Sequence, residues 1–322
     1  MDQGNPFNLQ ALLDTWPDFG TMIVHPQHEE GWGTNISVRK HGSIQIFLPI
    51  SVEVYGTVFH MNQGNPFSLQ ALVDTWPDFS TVVIRPQQQE MTDDLDHYTN
   101  TYQVFSKDVR KCQEVLASPE VISWNQHLQI QSTQSSLNQV IQSLAAAKSL
   151  QVQHSQNILF MWAETVRKLA PALLEGKSLA PTGGKPKAIN EALFRPSALD
   201  VAYAALVDQF WLFGGNEQSR RFIERCIRTF PSFCLLGPEG TPVSWALMDQ
   251  SGEMRMGATV PDYQGLGLIA HIMYTQAQAL SKLGFPLYMH MDRRNKVSQK
   301  VEISLPYIPM PCDWNQWHCV PL

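Results

Sequence analysis

The sequence predicts a mixed α/β protein with two domains, each built from helices and a mixed sheet. Its 322 residues are enough for two domains that each bury a core. Residues 214–267 have the patterns of a helix, a hairpin, a strand and a glycine turn that opens another helix. Residues 178–190 have the proline and glycine content of a linker. We therefore expect a first domain at 48–181 and a second domain at 190–322.

The segment before the first domain, residues 1–47, contains a duplication. Residues 1–27 match residues 61–87 at all but eight positions. The second copy follows a strand-like run and has the pattern strand–turn–helix–strand, whereas the first copy lacks the preceding strand. One duplication does not make a solenoid, which needs three or more stacked units. We expect residues 1–47 to be an atypical, poorly ordered segment; the alternative is a regulatory extension.

The first domain opens on the run VEVYGTVFH at residues 52–60, whose β-branched residues predict a strand. A helix is predicted at residues 65–77 and a second strand at residues 81–86. Helical patterns follow at residues 106–118 and 134–149. The order of these elements is that of an α/β domain.

The second domain has clearer patterns. Residues 216–230 carry apolar side chains at helical spacing, and residues 233–250 contain two β-rich runs joined by a Pro/Gly turn. The remaining predicted elements are a helix at 199–213, a strand at 251–260, a glycine turn and helix at 261–284, and strands at 287–292 and, irregularly, 308–320.

The order of elements in residues 214–267 is that of the acyl-CoA-binding core of the GNAT acyltransferase fold. The sequence of residues 214–257 closely resembles the mammalian glycine N-acyltransferase family; it reads GGNEQSRRFIERCIRTFPSFCLLGPEGTPVSWALMDQSGEMRMG. The likeness extends over about residues 48–322. The resemblance implies an enzyme that joins the acyl group of an acyl-CoA to glycine, with benzoyl-CoA and short branched acyl-CoAs as donors. It implies acyl-CoA as co-substrate, no permanently bound cofactor and no metal. We expect a monomer.

This reaction needs a base, because glycine arrives as an ammonium ion and only the free amine attacks a thioester. A carboxylate whose pKa is raised above about 4.3 by a low-dielectric cleft suits that task. Glu253, within GEMRM, matches the acidic residue that the family uses as general base. From the residues alone, an exposed glutamate at a hairpin is the alternative.

Arg255 lies two residues further along the predicted strand, so its side chain is on the same face as Glu253. A guanidinium pairs bidentately with a carboxylate, and we expect Arg255 to bind the carboxylate of glycine. The alternative is an ion pair with Glu253 or with an acid on a neighbouring strand. Main-chain N–H groups of Met256, Gly257 and Ala258 are the candidates for contacting the thioester oxygen.

The turn at residues 264–269, QGLGLI, occupies the place of the GNAT pyrophosphate loop, usually written Q/R-x-x-G-x-G/A. N–H groups at a helix N-terminus suit a diphosphate because donors and dipole both point at it. The resemblance assigns coenzyme A binding to Gln264, Gly265, Gly267 and Leu268, although Ile269 stands where a small residue is usual. An ordinary glycine-started helix is the alternative.

Other reactive residues have weaker signals. Many GNAT enzymes use a tyrosine to protonate the departing thiolate, but the matching place holds Glu302 or Ile303, with Tyr307 further on, so no general acid is assigned. A thiol pKa near 8.5 lets coenzyme A leave as the anion. His290 and Asp292 have no metal partner at a suitable spacing, which favours a structural use. The five cysteines indicate reduced thiols, without an acyl-enzyme.

Composition excludes some partners. A net charge of −6 argues against nucleic acid, and no apolar run approaches the roughly twenty residues of a membrane span. The family resemblance implies the mitochondrial matrix, yet the first 38 residues contain no Lys or Arg, unlike a transit peptide. Two other functions stay open: a glutamine-preferring phenylacetyl-CoA acyltransferase, and a non-catalytic coenzyme A-binding protein.

Overall fold

The computed structural model describes residues 24–27, 34–38, 51–75, 79–175, 181 and 183–322. Its strands are β1 Val24–Gln27, β2 Thr34–Val38, β3 Leu69–Val73, β4 Thr81–Pro86, β5 Thr101–Ser106, β6 Leu128–Ser132, β7 Leu150–Trp162, β8 Arg195–Ser197, β9 Phe233–Leu236, β10 Pro242–Met248, β11 Met254–Thr259, β12 Tyr288–Asp292 and β13 Tyr307–Pro321. Its helices are α1 Val52–Met61, α2 Val109–Ala117, α3 Asn138–Ala147, α4 Ala163–Leu169, α5 Ala172–Glu175, α6 Ala204–Phe210, α7 Glu217–Thr229, α8 Leu268–Lys282 and α9 Lys296–Ile303. The predicted mixed α/β fold class is confirmed.

The chain forms two compact units. Among the described residues, one unit is Phe160–Pro309, and the other combines parts of Phe19–Leu159 with Met310–Leu322. The domain bounds predicted from the sequence, 48–181 and 190–322, stay a prediction. Within the described ranges, none of the helices has the length and apolar character that a bilayer span requires.

The unit that contains Met310–Leu322 is built on a sheet in which strands follow the order β1-β2-β3-β4-β5-β6-β13-β7. Neighbours are antiparallel from β1 to β5 and between β6 and β13, whereas β5 and β6 are parallel. Helices α2 and α3 pack on this sheet through a buried cluster that includes Tyr102, Leu116, Ile130, Ile141 and Trp317.

Two predictions for this unit are wrong, and they lie side by side in the sequence. Residues 52–60, predicted as a strand, form helix α1, and β3 lies inside the predicted helix at 65–77. Nine of the ten residues of α1 are buried, so its apolar side chains are not confined to one face and show no helical period. Without that period, the β-branched residues favoured the wrong prediction of a strand. In β3, buried and half-buried residues alternate, a period of two that LQALV carries in its sequence.

The N-terminal duplication lies largely outside the described residues, and so does most of the segment expected to be poorly ordered. Within the described part, β1 comes from the end of the first copy, and β4 contains three of the four matching residues of the second copy, Ile84, Arg85 and Pro86. The end of the repeat therefore forms a strand in both copies.

The unit Phe160–Pro309 contains an antiparallel four-stranded sheet of order β11-β10-β9-β8. Helix α7 begins at a capping box in which Asn216 and Ser219 satisfy each other's main-chain N–H groups, and its predicted apolar positions Phe222, Ile223, Cys226 and Ile227 are buried. The predicted helix at 199–213 is shorter: a 3₁₀ turn at Val201–Tyr203 leads into α6. The irregular segment predicted at 308–320 is the long strand β13.

Candidate active site

The candidate site lies where β11 approaches β12. A tight turn joins β10 to β11: the Gly252 N–H donates to the Asp249 carbonyl at 3.0 Å, with Gly252 at a φ of 79° that favours glycine. The turn places Glu253 at the head of β11, where an isolated parallel bridge joins it to Tyr288 of β12. Glu253 is completely buried. It is therefore not the exposed hairpin glutamate of the alternative interpretation.

The Glu253 carboxylate contacts groups from both strands. Its Oε1 accepts the main-chain N–H of His290 at 2.9 Å, and Nδ1 of the His290 ring lies against the same oxygen. Its Oε2 is 3.6 Å from Nε of Arg255. Burial alone would raise the pKa of this carboxyl, but the charges of His290 and Arg255 and the hydrogen bonds from His290 hold it below its usual value. The expectation of a raised pKa is therefore wrong.

Arg255 joins Glu253 to a second buried carboxylate, Asp249. Nη1 of Arg255 donates to Oδ2 of Asp249 at 2.9 Å, and the guanidinium lies over the ring of Trp211 at 5.4 Å from the centroid. The contacts of Arg255 are thus those of the ion-pair alternative, and its role toward glycine stays a prediction. Sequence reasoning missed Asp249, because MDQSGE has the composition of an ordinary turn.

Hydrogen bonds from the β10–β11 turn hold the Asp249 carboxylate, and a tyrosine of β12 in turn holds Ser251. Its Oδ1 accepts from the Ser251 N–H at 2.8 Å, from the Ser251 hydroxyl at 2.6 Å and from the Glu253 N–H at 3.3 Å. The Tyr288 hydroxyl donates to the Ser251 carbonyl at 3.0 Å. Every one of these groups is buried. Asp249 therefore fixes the position of Arg255, and through it the position of Glu253.

The predicted oxyanion segment contains a β-bulge. Trp245 pairs with Ala258 and Leu247 pairs with Arg255, so Met256 and Gly257 both stand opposite Ala246. Met256 has a φ of 56°, which turns its peptide out of the regular ladder. A bulge leaves the extra residue unpaired, so main-chain donors can be directed away from the sheet. The three candidates Met256, Gly257 and Ala258 thus lie together at an irregular point of β11.

The predicted pyrophosphate loop lies between β11 and α8. Gly265 and Gly267 have φ values of 80° and 76°, and α8 begins directly afterwards at the buried Leu268. Gln264 is exposed, and its Nε2 donates to the Thr259 carbonyl at 3.1 Å. Left-handed glycines before a helix expose consecutive N–H groups, the geometry of an anion-binding nest.

Ile269 departs from the GNAT loop pattern, and the structure gives a reason why a large side chain fits. A Cβ atom added to Gly257 would lie 3.4 Å from Cδ1 of Ile269. The isoleucine therefore fills space that a glycine leaves open on β11.

Several other singled-out residues have neighbours other than Glu253. Asp292 binds Arg294 at 2.8 Å rather than the ring of His290. Cys226 and Cys234 are buried, and burial raises the pKa of both thiols, which opposes a nucleophilic role. The Tyr307 hydroxyl donates to Sδ of Met254 at 3.1 Å, while Glu302 is buried in α9.

Comparison with known proteins places the chain in a family. Residues 38–231 match the family model of aralkyl acyl-CoA:amino acid N-acyltransferases, and residues 233–321 match the model of the C-terminal region of the same enzymes. The chain belongs to this N-acyltransferase family. The family resemblance seen in the sequence is confirmed, and the chain is an acyltransferase that uses acyl-CoA.

Similar proteins within the aralkyl acyl-CoA:amino acid N-acyltransferase family come from several mammals. The chain is 64% identical to a glycine N-acyltransferase of Rattus norvegicus and 61% identical to one of Homo sapiens. It is 62% identical to a glycine N-phenylacetyltransferase of Bos taurus. Each match covers 87% of this chain and 95% of the relative.

Among solved structures, the fold is similar to that of a Drosophila protein. The two chains are 14% identical, with a TM-score of 0.66 over 84% of this chain and 89% of that one. At this identity the likeness concerns the fold alone. The mixed α/β arrangement of this chain is thus shared with a protein of low sequence identity.

Proposed function

We propose that the protein is an acyl-CoA:glycine N-acyltransferase that transfers benzoyl and similar acyl groups to the amine of glycine. The observation that carries the proposal is a buried carboxylate, Glu253, at the bridge between β11 and β12, whose pKa the neighbouring His290 and Arg255 hold below its usual value. An exposed nest of N–H groups lies at the start of α8, in the same unit. A base and an anion-binding nest are the two parts that transfer from acyl-CoA to an amine requires.

The strand arrangement supports a place for the thioester beside β11. In the described part of the chain, β11 is an edge strand that pairs with β10 and meets β12 at the Glu253–Tyr288 bridge. Beyond the bridge, main-chain N–H groups of Met256, Gly257 and Ala258 polarise the thioester carbonyl in this proposal, which the β-bulge at this point supports. Gln264, Gly265, Gly267 and Leu268 hold the diphosphate in this proposal. The preorganised N–H groups stabilise the oxyanion of the tetrahedral intermediate.

The chemistry proceeds by direct transfer. The base centre at Glu253 removes a proton from glycine, and the amine attacks the thioester carbonyl. The tetrahedral intermediate collapses, the C–S bond breaks, and the sulfur of coenzyme A leaves with the electron pair. Arg255 is proposed to bind the glycine carboxylate in addition to its contacts with Asp249 and Glu253. The protein acts as a monomer.

One assay tests the function: purified protein with benzoyl-CoA or phenylacetyl-CoA, combined with glycine or glutamine, followed by release of free thiol. We expect the fastest release with benzoyl-CoA and glycine. A second donor class is favoured by the similarity to a glycine N-phenylacetyltransferase, and phenylacetyl-CoA with glycine tests it. Faster release with glutamine would identify a glutamine-preferring enzyme. Coenzyme A binding without thiol release from any of the four pairs would leave a binding protein and overturn the proposal.

We also propose the mitochondrial matrix as the site of action, on the strength of the family resemblance. Import of the radiolabelled full chain into isolated mitochondria, followed by protease treatment, measures this directly. Protected protein supports the proposal, and complete digestion contradicts it.

A further inference from the structure

A turn with exposed apolar side chains joins α6 to α7. The Gly214 N–H donates to the Trp211 carbonyl at 2.9 Å, which closes residues 211–214 into a β-turn, here called the apolar turn. Leu212 and Phe213 lie at its tip, and they are 83% and 45% exposed. Single exposed apolar side chains are common on proteins, whereas adjoining ones mark candidate binding surfaces. The apolar turn is such a surface.

Hydrogen bonds to one residue, Asp208, anchor the apolar turn at both ends. Its main-chain carbonyl accepts the Trp211 N–H at 3.3 Å. Its Oδ1 accepts the Gly215 N–H at 2.9 Å and the Ser219 hydroxyl at 2.5 Å. A Cβ atom on Gly214 would lie 2.6 Å from the same Oδ1, so only glycine fits at the end of the turn. A surface that the fold has already ordered loses less entropy when a ligand binds to it.

The apolar turn lies beside the candidate active site. The Trp211 ring lies over the guanidinium of Arg255, whose Nε is 3.6 Å from the Glu253 carboxylate. The same ring stacks on Phe222 of α7, with the planes inclined at 22°. The ring of Phe213 lies edge-on to it, with centroids 6.1 Å apart. Contacts therefore lead from Glu253 through Arg255 and Trp211 to an exposed side chain at the tip of the turn.

The chemistry of the two substrates decides which of them suits the apolar turn. Glycine has one methylene between two charged groups, and placing it against Leu212 and Phe213 removes those charges from water without giving them partners. The aryl group of benzoyl-CoA is apolar and is bonded directly to the thioester carbonyl. When this ring covers leucine and phenylalanine side chains, apolar surface on both molecules leaves water. The apolar turn therefore matches the acyl group of the donor.

Resting on the proposed acyltransfer function, we propose that the apolar turn is the surface that selects the acyl group: Leu212 and Phe213 bind the aryl ring of the donor. Trp211 connects this surface to Arg255, beside the reacting groups. The two tip residues contribute binding and take no part in proton transfer. The enzyme thus distinguishes acyl-CoA donors by how much of the apolar turn their acyl groups cover.

Calorimetry without glycine separates binding of the acyl group from the chemistry. Wild type, Leu212→Asn, Phe213→Asn and the double variant are each titrated with benzoyl-CoA and with free coenzyme A. We expect each single change to weaken benzoyl-CoA binding by about 5–10-fold, which corresponds to losing roughly 50 Å² of buried apolar surface. The affinity for free coenzyme A should stay within about twofold. The matched control is Val297→Thr on α9, an apolar side chain that is 77% exposed, which should leave both affinities unchanged.

Thiol release gives a second readout: the double variant should raise the KM for benzoyl-CoA at least tenfold and leave the KM for glycine within about twofold. The inference is overturned if the double variant keeps its benzoyl-CoA affinity, if free coenzyme A loses affinity equally, or if the KM for glycine rises instead. If the wild type sediments as a dimer and the double variant as a monomer, the turn is an interface between two copies, which also overturns it. A wild type that releases no thiol from any acyl-CoA and amine pair sinks the proposed function, whereas the calorimetric comparison still decides the role of the apolar turn.

Discussion

Substitution of Arg255 measures how much its charge stabilises the buried carboxylates of the site. Its side chain is 9% exposed, and the side chains of the two acids that it contacts, Asp249 and Glu253, are each 1% exposed. The change Arg255→Met keeps most of the apolar volume of the side chain and removes the charge. Both carboxylates would then be buried without their guanidinium partner.

The expected loss of stability follows from that burial. Removing one partner of a buried ion pair costs about 3–5 kcal/mol, because an uncompensated charge stays in the interior. For a unit of this size, each kcal/mol corresponds to about 2–4 °C in the unfolding midpoint. Arg255→Met should therefore lower the midpoint by about 6–20 °C. The control is Arg228→Met on α7, whose pair with Glu224 is exposed and is worth about 0.3–0.5 kcal/mol.

Thermal unfolding followed by tryptophan fluorescence measures both variants under the same conditions. A midpoint for Arg255→Met within about 2 °C of the Arg228→Met value would refute the reasoning about buried charge. Arg255→Lys adds the functional readout, since it keeps the charge and removes the planar fork. A raised KM for glycine supports binding of the substrate carboxylate, and an unchanged KM removes Arg255 from the substrate site.

Three further predictions concern the loop, the cysteines and pH. Gly267→Ala places a Cβ on a residue in the left-handed conformation, which destabilises that conformation by about 1–2 kcal/mol, and it should raise the KM for acyl-CoA. Gly240→Ala, at the same φ of 76° in the β9–β10 turn, is the control and should leave that KM unchanged. Cys226→Ser should keep kcat within about threefold, because no acyl-enzyme forms; loss of activity would contradict direct transfer. Burial raises the pKa of Glu302 to about 8, so between pH 4.5 and about 8 the folded chain holds a proton that the unfolded chain releases, and stability falls as pH rises. Glu302→Gln should flatten this dependence of the unfolding midpoint, and the exposed Glu239→Gln should not.

Local patterns predicted the elements around the site. The period of apolar residues in 216–230 gave α7, and the glycine turn gave the start of α8, because both signals act within a few residues. The same reasoning failed for α1, where burial on nearly every side left no polar face to define a period. Alternation correctly put Glu253 and Arg255 on one face, where they contact each other.

The environment of Glu253 could not be predicted from such patterns, since its partner His290 lies 37 residues further along the chain. Sequence reasoning treated burial as the deciding influence and predicted a raised pKa. Burial does act in that direction, but the fold brings His290 and Arg255 to the two oxygens, and at distances below 4 Å their charges outweigh the loss of solvent. The sign of this pKa shift therefore depends on the approach of β11 to β12, which no local pattern in the sequence predicts.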